Sequence, residues 1–316
     1  AYPTIRRALF DPACRPGGTV LIHRQPDNIW RIDYQLRDGE TAEEAMREDT
    51  VRASVAAVLD EIGHAGPWDL EWWSVYSANT LALDDYRDGR IFFVGDSAHI
   101  VPIFGVRGLN NGLADAQNIG WKLGWVLTGR AGEGLLDSYT PERRGATLDV
   151  FANATKSTRF MTPPTRGWQI MRDAALSLAL QAPWAGQLAN PRQMQPYTYA
   201  DSPATLPDDN AFTGGPVPGA VIPCVALEQG DFLTDRMGPG FTLISFGPAP
   251  MVEHPSLTIL ELAPDSPAAT TFAAAPGSAW LIRPDLHIAA RWRTAPTADT
   301  IRAAIDRITT CKEARP

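Results

Sequence analysis

Only three of the 316 residues are cysteine, and Cys14, Cys224 and Cys311 lie far apart with no Cys-x-x-Cys pair. That argues against a disulfide scaffold and a cysteine-built metal site, and suits a cytosolic chain with free thiols. Apolar runs long enough to cross a membrane are missing, and no signal peptide is visible. A basic surplus is missing as well. The net charge is −8, which argues against a broad nucleic-acid-binding surface. There are no internal repeats and no low-complexity tracts. The G-x-G-x-x-G turn that cradles a dinucleotide pyrophosphate is also absent. What remains is 44% hydrophobic and 20% charged, the composition of a globular chain long enough for two domains.

The chemistry concentrates between Arg90 and Leu123. Ile91-Phe92-Phe93-Val94 is a short apolar run bounded by Asp88-Gly89 and Gly95-Asp96. It reads as a buried strand ending in a tight turn. A loop with Pro102, Gly105 and Gly108 follows, then a helix over Leu109 to Leu127. A strand, a glycine-rich loop and a helix start can hold an anion, because the first helical N–H groups are unpaired and carry partial positive charge. Gly108 permits close backbone approach to a ligand. Asp96 stands at the strand's carboxyl end, where α/β sheets bind ligands.

Gly95-Asp96-x-x-His99-x-x-Pro102, then Gly108-x-Asn110, Asp115, Asn118 and Trp121-Lys122-Leu123, closely resemble the second flavin-binding motif of the flavoprotein aromatic hydroxylases. That family includes the para-hydroxybenzoate and phenol hydroxylases. Leu136-Asp137-Ser138-Tyr139 and Glu142-Arg143-Arg144 match its usual continuation. Two departures, Ile103 for a second proline and Val106-Arg107-Gly108 for Gly-x-Gly, read as subgroup variation. The resemblance implies an FAD-dependent enzyme in which NADH or NADPH reduces the flavin and O2 supplies oxygen to a phenolic ring. Asp96 is then expected to bond the ribityl chain. Pro102 restricts the loop beside the flavin ring, and Gly108, Leu109 and Asn110 present N–H groups to its pyrimidine edge. His99 is expected to order the loop, and Asp115 and Asn118 to brace it. Trp121 and Lys122 read as packing and surface. Arg107 either adds positive charge or points to solvent. Arg143 and Arg144 read as surface or salt-bridged. No side chain is required as nucleophile or metal ligand.

The rest of the chain frames that motif. Thr19–His23 and Ile29–Leu36 alternate as a hairpin around Gln25-Pro26-Asp27-Asn28. By resemblance this is part of the substrate-domain sheet, with Arg24 and Tyr34 as candidate substrate contacts. Residues 40–62 read as one helix with a Thr41/Glu44 capping box. Trp68 to Ala78 reads as a strand. Helices are expected over Leu135–Phe160, with Pro141 in its first turn, and over 168–189. Seven prolines between Pro191 and Pro223 mark a linker. Beyond it, 241–246, 257–262, 279–282 and 287–292 read as strands and 300–308 as a helix. The turn Arg283-Pro284-Asp285 with Ala290-Arg291-Trp292 resembles the thioredoxin-like C-terminal domain of phenol hydroxylase. Lacking a paired thiol, that domain is expected to be redox-silent and to offer an interaction or dimerisation surface.

The expected fold class is therefore α/β with α+β elements. A partial FAD-dependent monooxygenase fold, substrate-domain sheet plus flavin-binding strand-loop-helix, precedes a thioredoxin-like domain. Expected boundaries are 1–190 for the FAD/substrate part, 191–215 for the linker and 216–316 for the last domain. Because the chain opens on Ala1-Tyr2-Pro3 without the pyrophosphate motif, it is expected to be the C-terminal part of a longer protein. Expected partners are a small aromatic substrate and a second copy in a homodimer, without nucleic acid or membrane, in the cytoplasm. Two alternatives stay open: an epoxidase or tailoring oxygenase acting on a polycyclic substrate, and a non-catalytic scaffold with the hydroxylase fold.

Overall fold

The computed structural model describes residues 4–37, 39–77, 79–101, 107–188, 195–208, 212–228 and 230–310. Strands β1 (Arg7–Phe10), β2 (Thr19–Arg24) and β3 (Trp30–Tyr34) form an antiparallel sheet in that order. The expected hairpin is there, with Val20 opposite Tyr34 and Ile22 opposite Ile32. Asp27 and Asn28 make its turn at φ 59° and 61°, a region these short polar side chains tolerate. β1 was not foreseen. It is four residues long and half exposed, too short to show a period.

The sheet's apolar face, Val20, Ile22, Trp30 and Ile32, packs on Val58 and Ile62. The expected single helix is two: α1 (Ala42–Ala45) and α2 (Glu48–Glu61), broken where Arg47 is extended at φ −68°, ψ 133°. The capping box forms as expected, with Glu44 N–H donating to Thr41 Oγ1 and Thr41 N–H to the Glu44 carboxylate. The strand expected from Trp68 does not form over residues 68–77 (Ala78 lies outside the described residues). No ladder partner exists for it among the described residues, and Trp72 stands 67% exposed.

The motif segment carries four two-residue strands. β4 (Leu81–Ala82) pairs with β7 (His99–Ile100), and β5 (Arg87–Asp88) with β6 (Ile91–Phe92). The buried strand expected over 91–94 is thus only its first two residues, and Ile91 is 59% exposed. Helix α3 (Arg107–Leu127) follows, then α4 (Tyr139–Met161) and α5 (Arg166–Ala179).

The C-terminal part begins with a small hairpin, β8 (Ala226–Glu228) and β9 (Asp231–Phe232). A mixed sheet follows, of β10 (Phe241–Phe246), β11 (Leu257–Leu262), β12 (Ala279–Ile282) and β13 (Ile288–Trp292), in the order β11-β10-β12-β13. β10 and β11 are parallel; β12 and β13 are antiparallel to their neighbours. β11 is the half-exposed edge rather than a fully buried run. β10 is buried on both sides, which is why apolar residues fall on both of its faces, with only the small hydroxyls Thr242 and Ser245 among them. Its alternation sends Phe241 and Leu243 toward α7 (Ala298–Thr310), where Ile301, Ile305 and Ile308 pack. Ile244 and Phe246 face α6 (Pro267–Phe272), with Trp280 between.

Contacts divide the chain into two units. One comprises Ala1–Asn79 with Ala154–Pro191, the other Thr80–Asn153 with Arg192–Pro316. The second joins the motif segment to the C-terminal sheet. Trp125 of α3 sits among Phe241, Leu243 and Leu281, edge-on to Phe241 at 5.3 Å between centroids. Burying one such aromatic contributes roughly 2–3 kcal/mol.

Candidate functional site

Past β6 the chain makes one tight turn, Gly95–Ser97. Gly95 sits at φ +60°. The turn lies directly on α3, since a Cβ added to Gly112 would come within 3.3 Å of Gly95 Cα. Val94 N–H donates to Ser97 Oγ at 3.0 Å, and Ser97 Oγ–H donates back to Val94 O at 2.8 Å. On this turn Asp96 is exposed, and its carboxylate has no partner among the described residues. The first turn of α3 holds Arg107, Gly108, Leu109 and Asn110. Leu109 is 72% exposed and Asn110 is exposed. A Cβ on Gly108 would meet Val101 at 3.5 Å. Pro102 lies outside the described residues. Arg107 is buried rather than solvent-facing, and its Nη1 donates to Val150 O at 3.4 Å.

Beneath the turn sits Asp115, fully buried. Its Oδ2 accepts the Gly95 N–H at 3.0 Å and pairs with His99 Nε2 at 2.7 Å. Its Oδ1 accepts Arg143 Nε at 2.6 Å. Burial pushes this carboxyl up, but the His99 bond and the Arg143 charge together hold it below the usual aspartate range. Arg143 reaches further: Nη2 donates to Asn111 Oδ1 at 2.5 Å and Nη1 to the Tyr199 hydroxyl at 2.8 Å. His99 and Asp115 thus meet beneath the Gly95–Ser97 turn, while residues 102–106 of the loop they were expected to order and brace lie outside the described residues. Arg143 is salt-bridged, one of the two expectations, and buried rather than on the surface.

One turn along, α3 carries a second buried cluster. Lys122 Nζ lies 2.7 Å from Glu142 Oε2, with both side chains fully buried. Arg283 Nη1 and Nη2 fork onto Glu142 at 2.6 and 2.9 Å, and Arg283 Nε and Nη2 onto Asp285 at 3.0 and 2.6 Å. Asn118 Nδ2 donates to Glu142 at 2.6 Å, and Ser202 Oγ–H also donates there. Two cations face two carboxylates. Burial works against the Glu142 charge, yet Arg283 and Lys122 hold its pKa far below the usual range. Lys122 shares with Arg283 the one carboxylate it touches among the described residues, so burial wins and its pKa falls to about 8. Lys122 is therefore core, not surface. Asn111, Asp115, Asn118 and Lys122 recur at spacings of four, three and four. This polar stripe on one helical face is the signal that could have found the network.

The proposed substrate contacts do not converge. Arg24 and Tyr34 share one face of the β2–β3 ladder but stand at opposite ends of it, opposite Trp30 and Val20 respectively. Arg24 is exposed and donates to Thr4 Oγ1. Tyr34 packs with the sheet's apolar cluster under the Arg15 guanidinium, 4.3 Å from the ring centre.

Residues 15–154 match the FAD binding domain family, a span that contains the turn, Asp115 and the start of α3. The 3-(3-hydroxy-phenyl)propionate/3-hydroxycinnamic acid hydroxylase of Mycolicibacterium gilvum is 31% identical over 219 residues, 68% of this chain and 38% of that protein. Its counterpart from Klebsiella pneumoniae is 28% identical over 236 residues, 74% of this chain and 42% of the relative. The chain belongs to the flavoprotein aromatic hydroxylase family. It spans about two fifths of the length of these curated relatives. Among solved structures, the flavin-dependent monooxygenase PieE, in complex with FAD and substrate, superposes with a TM-score of 0.76. That match is at 23% identity and covers 98% of this chain and 62% of that one. Aklavinone-11 hydroxylase gives 0.68 at 23% identity, covering 93% and 57%. These likenesses establish the monooxygenase fold in part, as the strand-loop-helix motif implied.

The hydroxylase motif also fits an FAD group on its own geometry. The Asp96 carboxylate, without a partner among the described residues, stands on a turn locked from beneath by Asp115. Beside it, Gly108 and the exposed Leu109 lie in the first turn of a 21-residue helix, the end whose partial positive charge favours an anion.

Proposed function

We propose that this chain is part of an FAD-dependent aromatic monooxygenase that uses NADH or NADPH and O2 to hydroxylate a small phenolic substrate. The observation that carries the reading is the Gly95–Ser97 turn held by Asp115 against α3, within the span that matches the FAD binding domain family. FAD, when bound, supplies the redox and oxygen chemistry. The chain's residues do the holding. Asp96 accepts hydrogen bonds from the ribityl hydroxyls. Gly108, Leu109 and Asn110 turn backbone N–H groups to the pyrimidine edge, where the α3 dipole favours negative charge. Arg24 and Tyr34 remain the residues proposed for substrate.

The curated relatives are named for phenols bearing an acid chain, which supports a small phenolic acid. A polycyclic substrate is the second reading. RebC with bound 7-carboxy-K252c, 27% identical with a TM-score of 0.56 over 73% of this chain, favours it. For domain organisation we propose 1–190 as the FAD/substrate part, 191–215 as a connecting segment and 216–316 as a thioredoxin-like unit without redox activity. The β11-β10-β12-β13 order, with one parallel pair, supports that last assignment. A homodimer in the cytoplasm completes the proposal, with few cysteines in its favour.

The test is the visible absorption spectrum of the purified chain after FAD is added and the excess removed. A retained, structured flavin band that Asp96→Ala abolishes supports the site. A chain that holds no flavin, alone or joined to a segment bearing G-x-G-x-x-G, refutes it in favour of a scaffold.

A further inference from the structure

The two buried clusters form one chain of contacts. Gly95 N–H is held by Asp115, Asp115 by Arg143, and Arg143 by the Tyr199 hydroxyl. The Tyr199 ring stacks on His287 at 4.1 Å between centroids. The His287 N–H donates to Asp285, which is forked by Arg283, and Arg283 forks onto Glu142 of α4, next in sequence to Arg143. Tyr199 itself is pinned by Gly219, whose carbonyl accepts its N–H at 2.9 Å. A Cβ on Gly219 would come within 2.5 Å of the Tyr199 carbonyl carbon, so the two backbones touch.

We infer that Tyr199 and the Arg283–His287 turn are positioning elements for the Gly95–Ser97 turn, acting through Arg143 and Asp115. In this reading the C-terminal part is more than an appended interaction module: it sets the geometry of the turn that carries Asp96. The physical reason lies in Asp115. One carboxylate orders the Gly95 amide, His99 and Arg143 together, so its own placement decides the turn's. Arg143 fixes that placement only while its other donors are satisfied. A buried guanidinium that loses an acceptor seeks another and drags Asp115 with it. The inference rests on the flavin reading only for the turn's purpose. The coupling itself is a property of the described residues.

Hydrogen–deuterium exchange of the whole chain tests it, without FAD. Tyr199→Phe keeps the ring on His287 and deletes only the hydroxyl. Exchange in peptides spanning 94–101 should rise by about tenfold or more, the effect of losing one hydrogen bond to a charged group, while β10 peptides stay unchanged. Arg143→Lys keeps the charge but not the fork, and should accelerate the same peptides. Unchanged exchange at 94–101 in both variants overturns the inference. So does an equal rise at 94–101 and in β10, which would mean general destabilisation. Because FAD is absent, the result judges the coupling alone, and the flavin reading is judged separately by the retained band.

Discussion

Glu142→Gln is the sharpest perturbation the buried cluster offers. The side chain keeps its shape and loses one charge, so Lys122 and Arg283 are left facing Asp285 alone. The cluster goes from neutral to a net single positive charge, away from water. Removing one member of such a pair costs about 3–5 kcal/mol, a large part of the roughly 5–15 kcal/mol that holds a domain together. Lys122 has an escape. Its pKa is already down to about 8 in the parent, and without Glu142 it falls further, so the variant buries a neutral amine. Below about pH 8 the folded parent holds a proton that the folded variant has lost. The deficit should therefore shrink by up to about 1.4 kcal/mol per pH unit as pH rises toward about 8, then level off. Urea unfolding followed by tryptophan fluorescence at several pH values measures it, with Trp121, Trp125 and Trp280 as reporters in the same unit. A deficit under about 0.5 kcal/mol, the scale of an ordinary surface substitution, would refute the buried-charge argument. A deficit independent of pH would refute the Lys122 escape.

Lys122 has its own pH signature. Its folded pKa of about 8 lies below its ordinary 10.5, so between those values the unfolded chain binds a proton that the folded chain has lost. This group's contribution to stability rises with pH across that window, by up to about 1.4 kcal/mol per unit. Lys122→Met should lack that slope in melting temperatures taken from pH 8 to 10, and identical slopes would count against it. The α3 glycines should separate by environment. Gly120→Ala and Gly124→Ala meet nothing within 4 Å and should stabilise by up to about 1 kcal/mol each, the helix preference for alanine. Gly112→Ala presses on Gly95 and should give less or destabilise, as chemical denaturation would show; three equal gains would mean the turn is not seated on α3.

The sequence by itself determined what depends on local pattern. The β2–β3 alternation, the Thr41/Glu44 cap, the α3 period and the apolar runs of β10 and β12 are local signals, and each became the element its pattern specifies. So did the Gly-Asp turn before α3, because a positive φ and a short carboxylate side chain are written in residue type. Where propensity needed a partner, the sequence was insufficient. Trp68–Ala78 has strand composition, but over residues 68–77 no strand among the described residues lies alongside to take its backbone hydrogen bonds. The charges of Lys122, Arg143 and Arg283 were the largest gap. Taken singly, such residues belong in water, and their burial is tolerable only because Glu142 arrives 20 positions from Lys122 and 141 from Arg283, and Asp115 28 positions from Arg143, while Asp285 alone is local to Arg283. That convergence of α3, α4 and the β12–β13 turn is a tertiary fact: the polar stripe of α3 marks the buried face, but no period in the chain names the distant partners that meet it.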